Sequence, residues 1–285
     1  SAKTMALQSG QVDLVENITN VSDIQDFKDN PDFTVDIASG VRCGFSWMNF
    51  DGVLGNKTLR QAILMGIDYD TICNSKTIGG LYTPGFSVLP STLSYGYDKL
   101  TNPYTYDPEG AKAILEEAGY KDTDGDGFVE TPDGDPLTLD FVIYTSRAEL
   151  GVYAQAAQAS LKEIGINVNL NTVSYETLLD MRDSGQYDLL IWNVLVANTG
   201  DPENYLRENW YSKSANNTAG YNNPEVDELL DELAGTFDEE ERKDLIIKIQ
   251  QDIMDDAATV FFGYETTYLF SNKRVTGVKM YPMDY

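Results

Sequence analysis

The segment Asp122 to Asp133, DTDGDGFVETPD, places carboxylates at its first, third, fifth and twelfth positions around a glycine at the sixth. A calcium ion takes six to eight oxygens, and Asp122, Asp124, Asp126, the Phe128 carbonyl, Glu130 or a water, and Asp133 form such a set. An EF-hand, however, needs a helix after its loop, and here Pro132, Gly134 and Pro136 lead into a strand-like run instead. The competing reading is a turn-rich hairpin in which Asp and Gly supply the unusual backbone angles and residues 128 to 130 pair near Leu137. If an ion binds, it acts as a structural clip; no cofactor is otherwise required.

Other chemistry is thinly represented. Histidine is absent, which removes the commonest general base and the commonest transition-metal ligand. The two cysteines, Cys43 and Cys73, have no C-x-x-C spacing and read as buried thiols, not as a zinc site or a redox pair. Acids number 46 against 20 basic residues, a net charge of −26, which repels phosphate backbones and argues against a nucleic-acid partner. Those acids leave a carboxylate-based hydrolase open as an alternative, although no spacing singles out a pair. A calcium-dependent surface interaction module is the other alternative.

A second candidate site, ANTGD at 197 to 201, follows an apolar run from Tyr187 to Trp192. The elements before it explain why that position matters. Leu137 to Tyr144 alternates with a two-residue period, Arg147 to Ile164 is helical with Gly165 as its stop, and Ile166 to Val173 alternates again. Ser174 then caps a helix that ends at Gly185. This βαβαβ run predicts an α/β fold with a mainly parallel sheet covered by helices, and ligands of open α/β sheets gather at the carboxyl ends of strands. Asn198, Thr199 and Asp201 lie at such an end, although Asp201-Pro202 also suits a helix start. Trp192 reads first as a core residue that ends an apolar strand and second as a stacking surface for a ligand.

Around this unit, helices are expected at 57 to 70, from Asp107-Pro108-Glu109 to Gly119, from Asn223-Pro224-Glu225 to Gly235, and from the Asp238/Glu241 capping box to about Asp256. Short strands are expected at 12 to 15, within 41 to 50, at 259 to 262 and at 268 to 270. The Gly-, Pro- and Tyr-rich stretch from 79 to 108 is a long loop, the kind that often carries function. Residues 5 to 10 read as the end of a helix, which suggests a chain cut from a longer one.

Several segments together resemble the solute-binding proteins of ABC importers for oligopeptides, dipeptides and nickel, extracellular family 5. They are ALQSGQVDLV at 6 to 15, LRQAILMGID at 59 to 68, YDPEGAKAILEEAGYKD at 106 to 122, LKEIGINV at 161 to 168, GDPENYL at 200 to 206, YNNPEVDELLDEL at 221 to 233 and NKRVTGV at 272 to 278. The resemblance implies a periplasmic-binding-protein-like class II fold, with 1–48 as a remnant of a first lobe, 49–259 as the second, ligand-binding lobe, and 260–285 as the return to the first. It implies a binding protein, not an enzyme: a monomer, extracytoplasmic as a periplasmic protein or a cell-surface lipoprotein. Such a protein encloses a peptide or metal chelate between its lobes, the first of them mostly missing here, and delivers it to a membrane permease.

In peptide-binding relatives a carboxylate holds the ligand's amine at the position of Asn198. An amide there weakens a charge-assisted bond to an ammonium. Residues 146 to 165 look closer to nickel-type members, so Arg147 is expected to grip a chelator's carboxylates, or else to pair with Glu149. Tyr82, in the long loop, is expected to stack on ligand.

Overall fold

The computed structural model describes residues 1–197 and 200–283. Asn198 and Thr199 therefore lie outside the described residues. In chain order the elements are α1 (Ala2–Gln8), β1 (Leu14–Glu16), α2 (Val21–Asp29), β2 (Phe33–Met48), α3 (Lys57–Gly66), α4 (Tyr69–Cys73), β3 (Tyr82–Thr83), α5 (Pro108–Glu117) and β4 (Thr138–Tyr144). They continue with α6 (Ala148–Glu163), β5 (Asn167–Val173), α7 (Tyr175–Ser184), β6 (Leu189–Leu195), α8 (Glu203–Trp210), α9 (Pro224–Gly235), α10 (Glu239–Asp255) and β7 (Thr259–Asn272).

Cap chemistry sets most helix boundaries. Asp107 accepts from the Gly110 amide with Pro108 in the first turn, Ser174 accepts from Thr177, and Asp238 accepts from both Glu240 and Glu241. Gly185 ends α7 with φ +68°, a left-handed conformation that other residues rarely adopt. The helix expected over 57 to 70 is two: the backbone turns extended at Ile67, and Asp68 caps α4 by accepting from Thr71.

The strands form one sheet in the order β1-β7-β2-β6-β4-β5, with β3 added to β7. The α/β class holds, but the mainly parallel sheet expected from the sequence does not. Only β5, β4 and β6 run parallel. β2 pairs antiparallel with both β6 and β7, and β1 and β3 pair antiparallel with β7. The difference comes from β2 and β7, of 16 and 14 residues, which show in the sequence only as short apolar pieces. The first half of β2 is half-exposed and lacks clean alternation, and Glu265, Thr266 and Thr267 interrupt the apolar run of β7.

Where β2 crosses β7 the register slips twice, between Ser39 and Cys43 and between Gly44 and Phe45. Gly44 is required at the second slip: a Cβ there would lie 2.5 Å from the Phe262 ring. Phe262 instead packs face to face on Tyr153 of α6, ring centroids 4.0 Å apart. The other side of the sheet buries Phe45, Trp47 and Trp210, with Tyr221 edge-on to Trp210. Arg60 is a buried exception at 5 % exposure. It donates to the carbonyls of Leu54, Gly55, Asp256 and Ala257 and lies over the Phe50 ring.

Candidate functional site

The sequence-predicted residues fall into three places. The first is a groove of about 470 Å³ at the carboxyl end of β6, which Trp192 and Asp201 both line together with Arg182, Asn204, Tyr205 and Glu208. Parallel pairing puts the carboxyl ends of β6 and β4 at the same edge of the sheet, and α8 is the next helix in the chain. Trp192 is half-buried, so neither of its readings holds alone. One part of the indole packs against the core, and the residue also lines the groove. Its ring lies near-parallel to Tyr175 of α7 at 6.1 Å, and the Arg182 guanidinium sits 5.5 Å from its centroid. Trp47 also lines the groove but is 3 % exposed, and Trp210 is 1 % exposed, so Trp192 is the most accessible of the three tryptophans.

Asp201 borders the groove but spends its oxygens on structure. One accepts from the Glu203 amide at 2.9 Å and the other from Arg242 at 2.7 Å. Arg242 also binds Glu203 and the carbonyls of Leu233 and Thr236, tying α8 to the α9–α10 junction. Tyr95 donates to the Gly200 carbonyl at 3.0 Å. Gly200 and Asp201 are thus held from two sides, and Asp201 acts chiefly as the helix-start residue that its Asp-Pro context suggested.

The second place is a polar cluster that gathers Tyr82 and Arg147. Arg147 donates to both oxygens of Glu265, at 3.3 and 3.2 Å, and to Glu149 at 3.3 Å. Asn193 of β6 accepts from Arg42 at 3.2 Å and donates to the Tyr82 hydroxyl at 2.8 Å. Burial disfavours the Arg147 charge, but Glu265, Tyr82 and Glu149 outweigh it and raise its pKa. Burial, then Glu265 and Glu149, push the Tyr82 phenol well above its ordinary value. Two arginines therefore face two carboxylates, and Arg147 takes the pairing role weighed against ligand capture. The Tyr82 ring is 5 % exposed and edge-on to Phe262, so it positions Asn193 and presents no face for stacking.

The third place is the acidic loop. The carboxylates of Asp122, Asp124 and Asp126 are exposed, with oxygens within 4.8 Å of one another. Asp122 already accepts from the amides of Gly125 and Gly127. Glu130 turns inward, where one of its oxygens accepts from the amide and hydroxyl of Thr123 at 2.7 and 2.6 Å. Asp133 is exposed and lies outside the group of three, and the Phe128 amide donates to Asp126. Bridges from Glu130 to Lys121 and Pro136 form the turn-rich hairpin expected as the alternative to an ion loop.

Among the participants that escape the sequence reading are Arg42, Arg182, Asn193, Arg242 and Glu265. Asn193 and Glu265 do leave a trace, since each breaks an apolar strand, LLIWNVL and VFFGYETTYLF.

Against this geometry, comparison with known proteins decides the family. The model for bacterial extracellular solute-binding proteins, family 5 Middle, matches residues 1–217. The chain belongs to that family. It is 25 % identical over 276 residues to the nickel-binding protein NikA of Staphylococcus aureus, covering 97 % of this chain and 53 % of that protein. It is 30 % identical over 229 residues to the periplasmic oligopeptide-binding protein OppA of Salmonella typhimurium, covering 76 % and 37 %. The heme-binding protein A of Haemophilus influenzae is 28 % identical over 98 % of this chain and 49 % of its own length. The chain thus spans about half the length of the curated relatives it matches. Each of these relatives is named for binding. In fold, the chain resembles NikA from Brucella suis, solved with Fe(III)-EDTA, at a TM-score of 0.88, 19 % identity and coverages of 99 % and 57 %. Among the described residues, no helix is long and apolar enough to cross a membrane.

Proposed function

We propose that the chain is the ligand-binding half of an extracytoplasmic solute-binding protein, which captures a peptide or metal chelate between two lobes and presents it to the permease of an ABC importer. In this reading residues 49–259 form the ligand-binding lobe, and β2 and β7 are the strands about which it hinges. Their two register slips are the natural place for such bending. The rest of a longer protein supplies the opposite wall, and no chemistry is done on the ligand. A periplasmic or lipid-anchored location follows from the same reading.

The observation that carries it is the groove at the carboxyl end of β6, where Trp192 offers a partly accessible indole on the same wall as Asp201. Peptide and nickel-chelate ligands both fit the reading, and Asn198 bears on the choice because its amide gives a weaker hold on a free amine than a carboxylate would. The acidic loop stands apart from this groove; if it binds calcium, the ion clips the hairpin.

Titration calorimetry tests the proposal, using peptides and nickel chelates on this chain and on a longer protein containing it. The longer protein is expected to bind one class with a Trp192→Ala penalty of about tenfold, from loss of the stacking surface. The chain alone is expected to bind weakly. Replacement of Asn198 by Asp is expected to favour free-amine peptides. No binding of either class by the longer protein would remove the proposal.

A further inference from the structure

A second cavity, of about 200 Å³, lies between α3–α4, the long loop and the start of β7 and shares no lining residue with the groove. It is smaller than the usual range of about 300–1,000 Å³ for drug-sized ligands, so its guest is small. Its lining includes five aromatic residues, Tyr69, Phe86, Tyr104, Tyr106 and Phe261. Two carboxylates, Asp68 and Asp70, complete the charged part of the lining, which includes no Lys or Arg among the described residues.

The rings are held in place. Tyr104 accepts from Gln61 at 3.0 Å and donates to the Asp255 carbonyl at 2.7 Å, while Phe86 packs on Tyr97 with centroids 4.7 Å apart. Tyr69 carries a buried hydroxyl that finds no partner in the structure. Asp68 caps α4 through one oxygen, and Asp70 is exposed with no ion-pair partner among the described residues. Lys112, whose charge acts on Tyr106, is engaged by Glu109 at 2.8 Å. Burial, then Glu163 and Asp68, raise the Tyr106 phenol, in keeping with negative surroundings.

Aromatic faces attract a cation whose centre comes within about 6 Å, and most strongly where water is excluded. Carboxylates at the mouth of such a cavity favour the same charge, and an anion would meet the field of a chain with net charge −26. We propose that this cavity binds a small organic cation, an alkylammonium head group, and that the guest fastens the 84–106 loop to α4 and β7. The site is independent of the solute groove and of the function proposed for it.

Choline and its neutral carbon isostere, 3,3-dimethyl-1-butanol, provide the test, titrated into the 285-residue chain and followed by amide chemical shifts. Choline is expected to give saturable shifts in residues 68–73 and 102–106 and to bind about tenfold more tightly than the isostere. Asp70→Asn, a surface change that leaves the fold intact, is expected to weaken choline about threefold and leave the isostere unaffected. Added salt is expected to weaken choline alone. Equal affinity for the two probes, absence of saturable shifts in these segments, or indifference to Asp70→Asn with the fold unchanged would each overturn the assignment.

Discussion

Replacing Glu265 with Gln keeps the shape of the side chain and removes the charge that Arg147 and Arg42 share. Arg147 lies 3.2 Å from one Glu265 oxygen, and Arg42 lies 3.6 Å from it. The Glu265 side chain is 18 % exposed and its partners 29 % and 21 %, a setting between surface and interior. Surface pairs contribute about 0–1 kcal/mol and breaking a buried pair costs about 3–5 kcal/mol, so about 2 kcal/mol is expected here. For a chain of 285 residues that corresponds to a fall of about 3–4 °C in melting temperature. Calorimetry and urea unfolding measure it, and a cycle with Arg147→Met should return a coupling of about 1–2 kcal/mol. A Glu265→Gln protein within about 0.5 kcal/mol of the parent, or strictly additive single changes, would refute the reasoning that this cluster is a neutralised unit.

Other consequences can be checked in the same way. Arg60→Met leaves four carbonyls without their donor and should cost about 3 kcal/mol or more in urea unfolding; a change under about 1 kcal/mol would contradict the buried network. Burial, then Glu225, Asp255 and Asp256, raise the Asp252 pKa to about 6, so the native state holds its proton more tightly than the unfolded chain does. This group's favourable contribution is present at low pH and is lost as pH rises from about 4 through about 6. Asp252→Asn should therefore raise the melting temperature at pH 7 and leave it unchanged near pH 4; a gain that is the same at both would rule out titration as the cause. Calcium against chelator should shift the melting temperature by a few degrees at most, since Asp122 and Glu130 already serve backbone and Thr123 donors; a large shift would make the loop an ion site that dominates stability.

The capped helices and the β4–α6–β5–α7–β6 run were legible because each boundary is written locally, in Asp107-Pro108, Ser174, Gly185 and Asp238. The long antiparallel pair β2 and β7 was not. Its polar stretches are satisfied by partners far along the chain, as where Thr267 donates to Ala38 and Glu265 meets Arg147, and no window of ten residues contains such a relation. α2 was missed too, although Asn20 caps it, because only Ile24 and Phe27 are buried on it. In the site, position was readable where side-chain partnership was not. A groove does lie at the end of β6, where the strand pattern placed a candidate site, while the pairing of Asp201 with Arg242 joins residues 41 positions apart. Tyr82 looked like a loop residue because β3 is only two residues long and exists through its pairing with β7.

Hydrogen–deuterium exchange on a longer protein containing this chain, with and without a bound peptide or nickel chelate, tests the central claim most directly. The account predicts ligand-dependent protection in peptides spanning the end of β6 and the start of α8, residues 189 to 206, and around Arg182. Protection confined to the acidic loop or to α9 and α10, with β6 unchanged while ligand is bound, would contradict it.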